Sequence, residues 1–338
     1  MEPCVQIFPL NNQVDGKPVF QVVLFQQHAS VSLLTIGATL QHFQIQVNGF
    51  EKRDVVLGYP DWQSYKTAFD RNQSAYFGAI VGPIAGRINR ATIPWKGAFW
   101  DFVPNEEQHL LHSGVNSFAN HNWTIKETSE NPHPSVTFEL QEGKGFNLPG
   151  ILYCAVTYTL KEYELDIQIE TKAIDDTVAN PTQHSYFNPN GHQGSILDTI
   201  TFIKTKRFLK LNAEKIPLGT LKDISHDELK QITLSEVHGY PQIDHAFVIN
   251  DKQDQAILIA SDGFQLFFTT NQPVFQVYIG GKTDLRGKDK HIYHAYSGIC
   301  LEQQAEPDAP NHKNFSDIYL KKGQKKLNTL TINFEQKL

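Results

Sequence analysis

Apolar and polar residues alternate with a period of two in short segments along the whole chain. This alternation is typical of β-strands that place one face on a core and the other in water. Helical periodicity is scarce, since only the short polar stretches near 61–65 and 225–230 favour a helix. A parallel α/β sheet needs a crossover helix between most strands, so the sequence predicts an all-β fold, a large antiparallel β-sandwich. The clearest alternating segments are 43–47, 136–140, 156–160, 165–169 and 330–334.

Two tight turns predict which strands are neighbours. Asn48-Gly49 follows the alternating segment 43–47 and is typical of a type I′ hairpin turn leading into the apolar run 55–57. Asp262-Gly263 separates the apolar runs 256–259 and 264–268 and predicts a second hairpin.

The length and composition exclude several classes of protein. The 338 residues contain no internal repeat, no low-complexity tract and no linker rich in Pro, Gly or Ser, so we expect one domain over 1–338. With 30 basic and 36 acidic side chains, the net charge of −6 gives no nucleic-acid footprint. No apolar run approaches the roughly 18 residues of a membrane span, and the first residues lack a signal peptide's basic and apolar regions. We therefore expect a cytoplasmic protein; monomer and homodimer both remain open.

The cysteines and the glycine-rich segments argue against metals and nucleotide cofactors. Cys4, Cys154 and Cys300 are far apart and lack CxxC spacing, so we expect Cys154 and Cys300 to be buried, reduced thiols and predict no structural zinc site. The segment 78–87 matches neither the dinucleotide fingerprint nor the Walker pattern, and the serine-nucleophile motif GxSxG is absent.

Several polar residues stand in apolar or aromatic surroundings. His184 lies in a cluster of hydrogen-bonding side chains followed by two aromatic residues, and Glu302 follows a short apolar run. Taken singly, His184 is compatible with a hydrogen-bonded loop histidine and Glu302 with a solvated strand end. A buried glutamate, however, costs several kcal/mol unless it is paired. Four further residues of the same kind are Arg87, His112, Asp244 and Gln276.

Six segments containing these residues resemble the signature segments of the aldose 1-epimerases, also called galactose mutarotases, in the family's order and close to its spacing. The resemblance extends over nearly the whole chain, and the third and sixth segments are highly specific. The segments are GPIAGRINRATIPWKG, HLLHSGVNSF, NPTQHSYFNPNG, IDHAFVIN, PVFQVYIGG and GICLEQQAEPDAPNH.

The resemblance implies a single-domain sandwich with an open sugar cleft and no metal or cofactor. It implies that Glu302 is the general base and His184 the general acid of anomer interconversion. It also implies that Arg87, His112, Asp244 and Gln276 bind the sugar hydroxyls. The chain departs from the family where Pro83 and Gly86 replace a common arginine and asparagine, which puts details of hydroxyl recognition in doubt.

This chemistry needs a proton to leave the C1 hydroxyl while another reaches the ring oxygen. A carboxylate and an imidazole can supply that pair near neutral pH if the imidazole of His184 is held protonated. We expect Asp244 or Glu302 itself to provide that electrostatic support. We expect Arg87 to make two parallel hydrogen bonds to adjacent hydroxyls. Aromatic rings beside the site can offer a face to the sugar ring, and the candidates are Tyr186, Phe187, Phe275 and Tyr278.

Three other functions remain as alternatives. A hexose-6-phosphate 1-epimerase would keep the same acid and base but need extra cations, for which Arg90 and Lys96 are close in sequence while Pro83 lacks a charge. A non-catalytic carbohydrate-binding protein would need neither an acid nor a base. A metal hydrolase using His112, His184, Asp244 and Glu302 would have suitable ligand types but lacks the close-spaced helical motifs.

Overall fold

The fold is built almost entirely from antiparallel β-strands. The computed structural model describes residues 2–47, 51–71, 75–142, 146–223, 232–233, 243–249, 255–279 and 284–336. The first strands in chain order are β1 (Cys4–Val14), β2 (Lys17–Phe25), β3 (Ala29–Leu34), β4 (Thr39–Val47), β5 (Glu51–Asp54), β6 (Ile80–Val81), β7 (Arg87–Ile88), β8 (Thr92–Trp95), β9 (Ala98–Asp101), β10 (Leu110–Leu111), β11 (Thr124–Ser129), β12 (Ser135–Glu142), β13 (Leu152–Leu160), β14 (Glu164–Ala173) and β15 (Thr177–Val178). They are followed by β16 (Thr182–Gln183), β17 (Tyr186–Phe187), β18 (Ile200–Ile203), β19 (Arg207–Leu211), β20 (Pro217–Asp223), β21 (Ile232–Thr233), β22 (Asp244–Val248), β23 (Ala256–Ile259), β24 (Phe264–Thr270), β25 (Val274–Ile279), β26 (Leu285–Arg286), β27 (Ile292–Tyr293), β28 (Ile299–Gln304), β29 (Tyr319–Leu320) and β30 (Lys325–Gln336).

Helical structure is limited to short pieces in the described residues. The α-helix α1 (Trp62–Arg71) begins after Asp61, whose carboxylate accepts a hydrogen bond from the Ser64 N–H at 2.8 Å as a helix cap. The predicted helical stretch near 61–65 is therefore confirmed and extends further than expected, whereas the stretch 225–230 lies outside the described residues. The 3₁₀ turns are Asn89–Ala91, Gly114–Asn116, Phe118–Asn120, Lys288–Lys290 and Ala309–Asn311.

Three large sheets form the scaffold. The first has nine strands in the order β11-β12-β13-β14-β30-β24-β23-β18-β21, the second six in the order β17-β28-β25-β22-β19-β20, and the third five in the order β1-β2-β3-β4-β5. Every pairing between the named strands is antiparallel, for example β14 with β30 and β25 with β28. The predicted all-β, antiparallel fold is confirmed.

The strand alternation places the expected residues inside. In β14, Leu165, Ile167 and Ile169 are buried, while most residues between them are partly or fully exposed. The hairpin predicted at Asp262-Gly263 joins β23 to β24. The Asn48-Gly49 turn lies outside the described residues. The strand that follows β4 and pairs with it is Glu51–Asp54, in the register Val47 to Glu51, so the pairing begins before the predicted run 55–57.

The main apolar core is shared by all three large sheets. Alternate residues of β25 and β28, among them Phe275 and Leu301, are buried in one apolar cluster with Leu266 and Leu330 of the nine-stranded sheet. The intervening residues of these strands therefore face away from that core. Cys154 and Cys300 are both buried and free, as predicted. No helix among the described residues is long and apolar enough to cross a membrane.

Candidate active site

Three of the predicted site residues lie side by side on the outer face of the six-stranded sheet. Glu302 of β28 pairs with Gln276 of β25, and Gln276 pairs with Ala246 of β22. Asp244 is two residues from Ala246 and therefore lies on the same face, diagonal to Gln276. The alternation that buries Leu301 and Phe275 in the core thus directs Glu302 and Gln276 outward.

Two further residues come from the loops that cover this face. Arg87 is in β7, which pairs with β10, and His112 follows β10 directly. The His112 N–H donates to the Gly86 carbonyl at 3.1 Å. Gly86 has φ +73°, and a Cβ there would lie 3.1 Å from the Pro307 Cβ, so both its conformation and its close contacts favour glycine.

All six predicted site residues line one cleft of about 600 Å³. Tyr186 and Tyr278 also line it, as expected. Phe187 and Phe275 do not, because their side chains point to the opposite side of the sheet and are fully buried in the apolar core. The expectation that these two rings offer a face to a sugar is wrong.

His184 and Glu302 form a close pair at the bottom of the cleft. Their Nε2 and Oε1 atoms are 3.3 Å apart, and the two residues are 4 % and 2 % exposed. Burial lowers the pKa of His184 to about 4. Burial and the negative charge of Asp244 raise the pKa of Glu302, against the opposing effect of Arg87. Burial thus opposes both the expected protonation of His184 and the ionisation of Glu302.

The backbone and a thiol fix the orientation of His184. The His184 N–H donates to the Ala79 carbonyl at 2.9 Å, and the His184 carbonyl accepts from the Gly78 N–H at 3.0 Å. On the side chain, the Nδ1 atom lies 3.7 Å from the Sγ atom of Cys300, which is buried on the same face of β28 as Glu302. The prediction of a buried, reduced thiol at Cys300 does not include this contact.

His112, His184 and Glu302 lie close enough together to be considered as metal ligands, since one ligand atom of each falls within 4.8 Å of the others. The hydrogen bonding of His112 does not fit this. Its Nδ1 atom accepts the Gly86 N–H at 3.2 Å, so in the neutral ring the hydrogen is on Nε2. A metal-binding histidine normally donates from its second nitrogen instead. Burial, His184 and Arg87 lower the pKa of His112, which favours this neutral ring as a donor toward the cleft.

The charged side chains of the cleft form a continuous network. Arg87 donates to both carboxylate oxygens of Glu106, from Nε at 2.5 Å and from Nη2 at 2.9 Å, and its Nη1 is 3.7 Å from Oδ2 of Asp244. The parallel hydrogen bonds expected toward a ligand are therefore made to Glu106, which leaves Nη1 on the side of Asp244. Gln276 donates to Oδ1 of Asp244 at 2.6 Å, and Lys215 donates to Oδ2 at 2.7 Å.

Several lining residues were not found from the sequence, among them Tyr76, Glu106 and Lys215. Tyr76 packs against the rings of His112 and His184, with centroids 5.3 Å and 5.9 Å away. Glu106 and Lys215 lie in polar loops, where a charged residue carries no pattern that distinguishes it from a solvated one. Only the resemblance of the neighbouring segments could have directed attention to these loops.

Comparisons with known proteins agree with this fold. The family model for aldose 1-epimerase matches residues 21–333. The galactose mutarotase of Rattus norvegicus is 31 % identical over 337 residues, covering 94 % of this chain and 95 % of the relative. The aldose 1-epimerase of Haemophilus influenzae is 31 % identical over 332 residues, covering 90 % and 92 %. A galactose 1-epimerase structure from Lactobacillus acidophilus superimposes with a TM-score of 0.84 at 21 % identity, covering 100 % of both chains, and shows the fold alone.

The antiparallel sandwich and its polar cleft are those of a sugar isomerase. The chain belongs to the aldose 1-epimerase family and is an isomerase, a mutarotase that interconverts the anomers of an aldose.

Proposed function

We propose that the substrate is a free aldohexose such as galactose or glucose, with Glu302 as the general base and His184 as the general acid. The observation that carries this proposal is the 3.3 Å contact between His184 Nε2 and Glu302 Oε1 at the buried end of the cleft. In a cyclic hemiacetal the hydroxyl oxygen and the ring oxygen are bonded to the same carbon. A base and an acid so close together can therefore reach both oxygens at once.

The proposed reaction moves one proton at each oxygen. Glu302 takes the proton from the C1 hydroxyl while His184 gives a proton to the ring oxygen, the bond from C1 to the ring oxygen breaks, and an open-chain aldehyde forms. Rotation about the bond between C1 and C2 presents the other face of the carbonyl, and the two groups then reverse their roles as the ring closes. Ring opening starts with the proton on His184 and a charge on Glu302, and it ends with the proton on Glu302 and a neutral His184, which is the state needed for the ring to close again.

The remaining lining residues support hydroxyl recognition in this proposal. Asp244 offers an acceptor and Gln276 an amide beside the His184–Glu302 pair. His112 and Arg87 offer N–H donors from the loops that cover this face of the sheet. Because these side chains come from widely separated parts of the sequence, we also propose that 1–338 acts as one domain.

The charges of the cleft favour a neutral sugar over a sugar phosphate. Among the described lining residues, Arg87 and Lys215 face three carboxylates, Glu106, Asp244 and Glu302. Both cations are already engaged by Glu106 or Asp244. A phosphate dianion would have to compete for them next to a further negative charge.

The test is the rate of equilibration of freshly dissolved α-D-galactose and α-D-glucose, followed by polarimetry or anomeric NMR. We expect Glu302→Gln and His184→Asn each to lower kcat by about 10²- to 10⁴-fold. The matched controls Glu335→Gln and His294→Asn change the same residue types at exposed positions. The proposal fails if the wild type does not accelerate equilibration, or if both cleft variants keep full activity.

The same assay separates the alternatives. Faster turnover of glucose 6-phosphate than of glucose would favour the phosphate-specific function. Sugar binding without acceleration would favour a carbohydrate-binding protein.

A further inference from the structure

Lys215 occupies a fixed position at the rim of the cleft. It lies in the turn between β19 and β20, where the side-chain oxygen of Asn212 accepts hydrogen bonds from the N–H groups of Glu214 and Ile216, both at 2.9 Å. Lys215 itself has φ 61°, a left-handed conformation that is uncommon for lysine. The turn is therefore built around this residue, and the side chain lines the cleft.

The Lys215 side chain contacts Asp244 directly. Its Nζ atom is 2.7 Å from Oδ2 of Asp244, whereas Nη1 of Arg87 is 3.7 Å from the same oxygen. Gln276 occupies the other oxygen at 2.6 Å. Lys215 thus makes the only charged hydrogen bond shorter than 3 Å to Asp244 in the part of the chain that the structure describes.

The turn that carries Lys215 is also hydrogen-bonded to the segment that precedes β10. The Glu214 carboxylate accepts a hydrogen bond from Gln108 at 3.1 Å and lies 3.5 Å from Nε2 of the buried His109. Gln108 and His109 precede the strand β10 that carries His112 into the cleft. The turn is therefore held both by its own hydrogen bonds and by contacts to Gln108 and His109, and from it Lys215 reaches Asp244.

We propose that Lys215 is a positioning residue for substrate binding, which keeps the Asp244 carboxylate ionised and oriented to accept a hydrogen bond from a sugar hydroxyl. This inference rests on the proposed function, because it assigns a sugar hydroxyl to Asp244. An ammonium suits the role because it is a compact charge with three donors, so Lys215 can bind Asp244 and still donate toward the cleft.

The electrostatic surroundings of Asp244 give a specific signature. Lys215 and Arg87 hold the pKa of Asp244 below its ordinary value although burial acts in the opposite direction. The titratable and charged groups whose charges interact with Asp244 are Lys215, Arg87, Glu302, His184, Tyr278, His245 and Cys300. Without Lys215, the pKa of Asp244 would rise. Asp244 would then be protonated up to a higher pH and would not accept the hydrogen bond from the sugar hydroxyl in that range.

The experiment compares Lys215→Met, Lys215→Arg and the control Lys210→Met, an exposed lysine of the same hairpin. We expect Lys215→Met to raise KM about 3- to 10-fold, as for the weakening of one ordinary hydrogen bond to the sugar, because Lys215 acts through Asp244, with kcat changed less than about twofold. The acid limb of 1/KM against pH should move to higher pH. Lys215→Arg should restore both properties in part, and Lys210→Met should match the wild type.

A merely structural role would lower thermal stability without moving the pH dependence of KM. The proposal is overturned if Lys215→Met and Lys210→Met give the same KM and the same pH profile, or if only kcat falls. Sugar affinity measured by titration calorimetry provides a readout independent of turnover. If the wild type binds galactose without catalysing its equilibration, the proposed function fails while the role of Lys215 in binding is still tested.

Discussion

Lys288 is a buried cation whose removal should destabilise the fold strongly. It is 2 % exposed, and its Nζ atom donates to Oδ2 of Asp54 at 2.6 Å and to the carbonyls of Val56 and Gln41 at 2.6 Å and 3.0 Å. All three donors of the ammonium are used. Lys288→Met keeps the approximate length of the side chain but removes its charge and its hydrogen bonds.

The expected loss follows from what remains around Asp54. Removing one partner of a buried ion pair costs about 3–5 kcal/mol, because the other charge stays buried. His42 remains at 2.6 Å and the Phe43 N–H at 3.1 Å from the Asp54 carboxylate, so this charge keeps part of its stabilisation. We therefore expect the free energy of unfolding to fall by about 3 kcal/mol, toward the lower end of that range.

Urea unfolding followed by tryptophan fluorescence measures this loss at neutral pH. Asp54→Asn and the double variant complete a mutant cycle, in which the two losses should be less than additive by about 1–3 kcal/mol because both changes break the same pair. A loss below about 1 kcal/mol for Lys288→Met would refute the reasoning, since an exposed ion pair would behave in that way. Additive losses in the cycle would also refute it.

The two remaining predictions concern the buried pair of the cleft. The plot of kcat/KM against pH should have an acid limb near pH 4 and an alkaline limb at the raised pKa of Glu302. Below the acid limb both His184 and Glu302 are protonated, and above the alkaline limb neither is. A narrow bell bounded by the ordinary values of about 4.3 and 6.5 would contradict this scheme. Cys300→Ala should lower kcat about 3- to 10-fold because Nδ1 of His184 loses its side-chain partner, whereas Cys300→Ser should retain more activity. Equal kcat values for these two variants would contradict a hydrogen-bonding role of this side chain.

The period-two alternation predicted the strands well because each strand has one face on a core. It also contained information that the prediction for the aromatic residues did not use. Neighbouring residues in a strand point to opposite sides, so a cleft position for Tyr186 excludes one for Phe187. Phe275 and Tyr278 are three residues apart and therefore also point to opposite sides. By the same rule, Glu302 in the cleft implies that Cys300 lies on the cleft side of β28.

Two other features depend on distances that a sequence does not contain. The pKa of His184 is determined by burial more than by its charged neighbours, and the depth of a loop histidine cannot be derived from adjacent residues. The roles of Glu106 and Lys215 depend on loops that meet across the cleft, far apart in the chain. Glu106 and Lys215 also lie outside the six short segments that resemble the family's signatures, so the resemblance does not point to them.

The sheet register explains why His184 and Glu302 meet. Tyr186 pairs with Cys300, so extending the same register by two residues in each strand places His184 opposite Glu302. Glu302 in turn pairs with Gln276, so these three side chains are neighbours. A slip of one residue in β28 would turn Glu302 into the core and Leu301 into the cleft. The register that buries the apolar side chains is therefore the register that brings His184 and Glu302 together.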